Sequence, residues 1–116
     1  MIYFIGDKPS KCNIDPRIAF VGTNSYKILL EWIHRMNLSI NNIELYNATT
    51  FVDEIQDLIE EDDQIVALGV AASELLLEHN IPHLKIPHPS GLNRSLNDAR
   101  FVNKFLKECK TYVLQK

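Results

Sequence analysis

"QIVALGVAASELLLEHN", residues 64–80, decides the fold. Its first part, Ile65 to Leu68, is an unbroken apolar run. A strand with one wet face would alternate apolar and polar residues, so this run predicts a strand buried on both faces. Gly69 ends it, and "AASELLLEHN" then sets Ala72, Leu75 and Leu76 on one side of a short helix. A doubly buried strand that feeds a helix is the unit of a parallel sheet, because parallel neighbours need a crossover between them.

The same unit recurs on both sides of this stretch. "IYFI" (2–5) is a short apolar run ended by Gly6 and Pro9, and "TNSYKILLEWIHRMN" (23–37) puts Tyr26, Leu29, Leu30, Ile33 and Met36 on one helical face, with Thr23, Asn24 and Ser25 available as caps. "IELY" (43–46) predicts the second strand, followed by a helix capped by Thr50 that turns Phe51, Ile55, Leu58 and Ile59 inward. "HLKI" (83–86) supplies the fourth strand. "NDARFVNKFLKECKTYVLQ" (97–115) supplies the last helix, capped by Asn97 or Asp98, with Phe101, Val102, Phe105, Leu106, Cys109, Tyr112 and Val113 on its apolar face. The acidic run "EEDD" (60–63) reads as solvated. Four strands, each followed by a helix, predict an α/β fold: a three-layer α/β/α domain over residues 1–116 with a four-stranded parallel sheet of order 2-1-3-4.

A chain of 116 residues with 46% hydrophobic content suits one core and one domain. The net charge of -3 and a pI near 5.7 argue against a strongly basic nucleic-acid module, while leaving room for a local cationic rim. Cys12 and Cys109 form no C-x-x-C pair, so neither a zinc site nor an iron–sulfur site is indicated, and two lone thiols suggest a reducing compartment. "MIYFIGDKPS" lacks the pattern of a secretion signal, and no run approaches the roughly 18 apolar residues of a membrane span. The expectation is a soluble, cytoplasmic monomer with no cofactor, no metal and no membrane partner.

In open parallel sheets, ligands bind beyond the carboxyl ends of the strands, near the point where the strand order reverses. That rule selects "GDKPS" (6–10), "NATT" (47–50), "GVAA" (69–72) and "HPSGLNR" (88–94). The last combines an imidazole with Pro89 and Gly91, which a buried strand has no use for, and so reads as a functional loop.

Taken in order, these segments resemble the uracil-DNA glycosylase superfamily. Its members carry a Gly-x-x-Pro loop after the first strand and a His-Pro-Ser or Asn-Pro-Ser loop after the last, matched here by "GDKPS" and "HPSGLNR". "FVG" (20–22) before a helix resembles the family's base-stacking aromatic, "LYNATT" (45–50) its base-reading asparagine strand, and "IVALG" (65–69) its third strand. The resemblance covers roughly residues 2–108 and implies a uracil-DNA glycosylase-like hydrolase of N-glycosyl bonds. Such an enzyme flips uracil or a related modified pyrimidine out of DNA and excises it.

The resemblance also assigns roles. His88 donates, as a neutral imidazole, to the pyrimidine carbonyl oxygen on which charge develops. Gly6, Asp7 and Lys8 belong to the loop that faces the sugar, with Asp7 as the candidate group for orienting water. Phe20 stacks on the extruded base and Asn47 reads its edge. Ser10 and Ser90 hold flanking phosphates. Gly91 turns the loop, Leu92 wedges into the space the base has left, Asn93 touches the orphaned partner and Arg94 a phosphate. Plain structural readings stand beside these: Phe20 and Leu92 as core, Asn47 and the serines as turn residues. Family members often place aspartate or asparagine immediately before the loop proline to position water, whereas this chain has Lys8 there. A catalytically silent DNA- or nucleotide-binding relative, or a partner-binding module with an inert pocket, therefore remain as alternatives.

Overall fold

The computed structural model describes residues 1–6, 24–89 and 94–114. Four strands, β1 (Ile2–Gly6), β2 (Ile43–Asn47), β3 (Gln64–Leu68) and β4 (Leu84–Ile86), form one parallel sheet in the order β2-β1-β3-β4. The expected sheet, strand order and helical connections are all observed. Alternate residues of each strand divide between two faces. Phe4, Val66, Leu68 and Ile86 point into one core, closed by Leu29, Trp32, Ile33 and Met36 of α1 (Asn24–Arg35) and by Val102, Phe105, Leu106 and Cys109 of α4 (Ala99–Val113). Tyr3, Ile5, Ile65 and Ala67 point into the other, closed by Ala48, Phe51, Ile81 and by Ala72 and Leu76 of α3 (Val70–Glu78). The molecule is thus a helix–sheet–helix sandwich, and the two internal strands β1 and β3 are buried on both faces.

Local chemistry ends the helices. Asn37 and Asn80 adopt left-handed φ of 59° and 56° after α1 and α3. At each, the amide three residues past the helix bonds five residues back, Leu38 to Ile33 and Ile81 to Leu76, while the asparagine amide bonds three back, to His34 and Leu77. This is a Schellman closure with asparagine in the place usually taken by glycine. The Asp98 carboxylate accepts from the Arg100 and Phe101 amides and caps α4, as expected for one of its two candidates. Between α1 and α4, Trp32 and Phe105 meet edge to face with centroids 4.9 Å apart, and the Arg35 guanidinium donates to Asn103.

Several expectations need correction. Thr50 does not cap the second helix. That helix starts at Ala48 with Asn47 in the cap position, and after α2 (Ala48–Thr50) the chain passes through a π turn (Phe51–Ile55) and a 3₁₀ turn (Gln56–Leu58). The change of period rotates the apolar face, so Phe51 is buried while Leu58 is 68% exposed. Trp32 joins the buried face of α1, where Tyr26 and Leu30 are only partly covered. His83 lies outside β4, and Phe101 sits at the rim of α4 with 36% of its surface exposed.

Candidate functional site

The registers of three strand pairs align one row of residues at the carboxyl edge of the sheet. Gly6 pairs with Asn47, Ile5 with Ala67 so that Gly6 stands level with Leu68, and Leu68 pairs with Ile86. Gly6 and Asn47 lie in this row, and His88 lies two residues beyond it. The strand order reverses between β1 and β3, so Gly6 and Gly69 flank the switch point at which such sheets hold ligands.

Asn47 ends β2 with no exposed surface and sits at the cap position of the next turn without a side-chain cap bond. Its carboxamide oxygen is buried with no hydrogen-bond partner among the described residues, while the residue is engaged through other contacts. A carboxamide carries one acceptor oxygen and two N–H donors, the kinds of group that the edge of a polar ring pairs with.

On the other side of the switch point, Gly69 has φ of 94° and ψ of 176°, a conformation open essentially to glycine alone. Its amide donates to the Ile86 carbonyl at 2.8 Å, and a Cβ placed on it would lie 3.1 Å from His88 Cβ. The missing side chain lets the segment after β4 lean back over the end of β3. His88, half-buried, is thereby held against β3, with Pro89 behind it fully buried. Asn47 ends β2 and His88 lies against the end of β3, so that β1 alone stands between the strands that carry them.

Beside His88 a cavity of about 420 Å³ opens between the first turns of α3 and α4, lined by Gly69, Val70, Lys85, Ile86, His88 and Phe101. A second cavity of about 380 Å³ runs along the edge strand β2 beside α1, with Tyr26, Ile33, Ile43 and Leu45 in its apolar lining. It shares no residue with the row that holds Gly6 and Asn47.

Of the residues singled out in the sequence, Gly6, Asn47 and His88 are brought to the same edge, and Arg94 opens a 3₁₀ turn (Arg94–Asn97) that leads into α4. Asp7, Lys8, Ser10, Phe20, Ser90, Gly91, Leu92 and Asn93 lie outside the described residues. Lys85 and Phe101 were not expected at the site, whereas Gly69 opens "GVAA" (69–72), one of the segments selected at the strand ends. Only Gly69 had a signal, a glycine directly after a buried strand and directly before a helix. Among the described residues, no three His, Cys, Asp or Glu side chains gather as a metal site requires, and no helix is long and apolar enough to cross a membrane. Compared with protein-family models, curated proteins and solved structures, the chain matches none.

Proposed function

We propose that the chain is a uracil-DNA glycosylase-like hydrolase that extrudes uracil or a related pyrimidine from DNA and hydrolyses its N-glycosidic bond. The observation that carries this reading is the placement of Asn47 and His88 at the carboxyl edge of the sheet, on either side of the switch point, with Gly6 in the row of Asn47. In this reading the Asn47 carboxamide reads the polar edge of the base, while a ring N–H of His88 donates to the carbonyl oxygen on the opposite side. As the bond between C1′ and the base nitrogen breaks, its electron pair leaves with the base. His88 then faces the charge that builds up, which is where a preorganised donor lowers a barrier most. Water adds to C1′ and gives up a proton as the sugar hydroxyl forms, and Asp7 orients that water. The departing base takes up a proton from solvent.

The test is formation of abasic sites in uracil-containing oligonucleotides. Excision by the native chain, lost about a hundredfold to a thousandfold in a folded His88→Ala variant, is the expected result, in line with removal of one charge-stabilising donor. Undiminished excision by that variant would remove His88 from the mechanism. Lys8, in place of the water-positioning residue, favours a second reading in which the same edge binds the nucleotide without cleaving it. Saturable binding of uracil-containing DNA with no abasic product would establish that one.

A further inference from the structure

The cavity beside His88 has no role in holding the extruded base, since neither Asn47 nor Gly6 lines it. Its chemistry is nevertheless specific. Val70, 59% exposed, and Phe101, 36% exposed, give it an open apolar wall with an aromatic ring, and Ile86 forms its floor. Lys85 and His88 are its titratable lining residues, and no carboxylate lines it among the described residues, on a chain with 15 acidic and 12 basic residues. A planar apolar group with an anion attached complements such a wall. The volume of about 420 Å³ falls within the roughly 300–1,000 Å³ of ordinary small-ligand clefts.

We infer that this cavity seats one unpaired nucleotide of a DNA strand, the neighbour of the extruded one, with its base against Phe101 and its phosphate near Lys85. The inference rests on the glycosylase reading and adds a substrate class to it. An aromatic side chain can stack only on a base whose face is free, whereas a duplex offers its base edges in the grooves and keeps the faces stacked. A site built on Phe101 therefore selects single-stranded DNA over duplex. Phe101 is 36% exposed and meets Phe105 edge to face on the core side, with centroids 5.4 Å apart.

The experiment uses the full chain and a fluorescently labelled oligothymidylate, which contains no uracil and so reports binding without excision. Anisotropy titrations against the single strand and against its duplex with oligoadenylate should favour the single strand. Phe101→Leu keeps an apolar contact with Phe105 but removes the stacking face, and should weaken single-strand binding about tenfold. Lys85 is exposed, so Lys85→Gln tests the site without touching the core and should lower the salt slope by about 0.7. Lys110→Gln, exposed in the last turn of α4, should change neither quantity. Equal affinity for strand and duplex, or binding indifferent to both Phe101→Leu and Lys85→Gln, overturns the inference. The two levels separate cleanly. A chain that binds through Phe101 and Lys85 but never excises uracil sinks the glycosylase reading and leaves the nucleotide site standing. Excision with binding indifferent to both residues sinks the nucleotide site alone.

Discussion

Gly69 and His88 approach so closely that a single methyl group on Gly69 would sit 3.1 Å from His88 Cβ. The backbone of Gly69 is also in a region that side chains avoid, with φ of 94°. Both constraints act on one atom, so Gly69→Ala should cost about 1–3 kcal/mol in backbone strain and push His88 away from β3 by a few tenths of an ångström. The expected result in urea is a lower midpoint at unchanged slope, together with weaker uracil excision in the surviving folded fraction. A variant as stable and as active as the parent would mean that the close approach does not hold His88 in place.

Ser73 and His83 clasp α3 to the segment entering β4. The Nδ1–H of His83 donates to the Ile81 carbonyl at 2.8 Å, which leaves Nε2 to accept the Ser73 hydroxyl proton at 2.7 Å. Ser73 is buried, so the bond is shielded from water. Ser73→Ala, His83→Ala and the double variant should give a coupling of about 1 kcal/mol in a double-mutant cycle. Strict additivity of the two substitutions would show the bond to be energetically silent.

How much of this was legible in the sequence depended on whether one period governed a segment. "IYFI", "QIVALG" and the α4 stretch each carry a single uninterrupted pattern, and their elements, with the sheet order, follow from it. The segment after Asn47 could not be read correctly, because its three helical turns differ in pitch and no one periodicity assigns Phe51 inward and Leu58 outward. At the site, Asn47 and His88 were visible as polar residues at strand ends. Lys85 and Phe101 were not. Each looks ordinary in its own element, and only the meeting of β4 with the first turns of α3 and α4 puts them around one cavity.

Cys109 is fully buried, and burial pushes its thiol up to about 12. Tyr3 is raised too, by burial first and then by the charges of Asp63 and Glu44, and Tyr112 by burial against a partly offsetting backbone hydrogen bond at Ile65. In each case the fold holds the proton more tightly than the unfolded chain does, so the stabilisation is complete below the ordinary pKa and is lost as pH rises through the shifted one. Stability should therefore fall between about pH 9 and pH 12, where unfolded Cys109 ionises and native Cys109 does not. Urea midpoints across that window check the sign. In a Cys12→Ser background, a thiol reagent at pH 8 should modify Cys109 only at the rate of unfolding. Rapid labelling of the native state would contradict the burial.

Lys8 precedes Pro9 in the sequence "GDKPS" (6–10), where the resemblance calls for an aspartate or asparagine that positions water. In the glycosylase reading an ammonium group there would repel the cationic sugar that forms as the base departs, and while protonated it has no lone pair with which to accept a proton from water. If excision is limited by this residue, Lys8→Asp should raise the single-turnover rate by about a hundredfold, the lower end of what a positioned general base contributes. Lys8→Asn, which can hold water but hardly take its proton, should give a smaller gain. Should Lys8 instead hold a phosphate, both substitutions leave the rate unchanged, weaken DNA binding and lower its salt slope by about one unit. The two roles make opposite demands on one side chain, so excision and salt-dependent binding of the same Lys8→Asp protein decide between them. A gain in rate marks an enzyme slowed by its own lysine, whereas a loss of salt dependence without a gain marks a binding loop. If neither quantity moves, Lys8 touches neither sugar nor phosphate, and the water-orienting role falls to Asp7, to be tested by Asp7→Asn in the same assay.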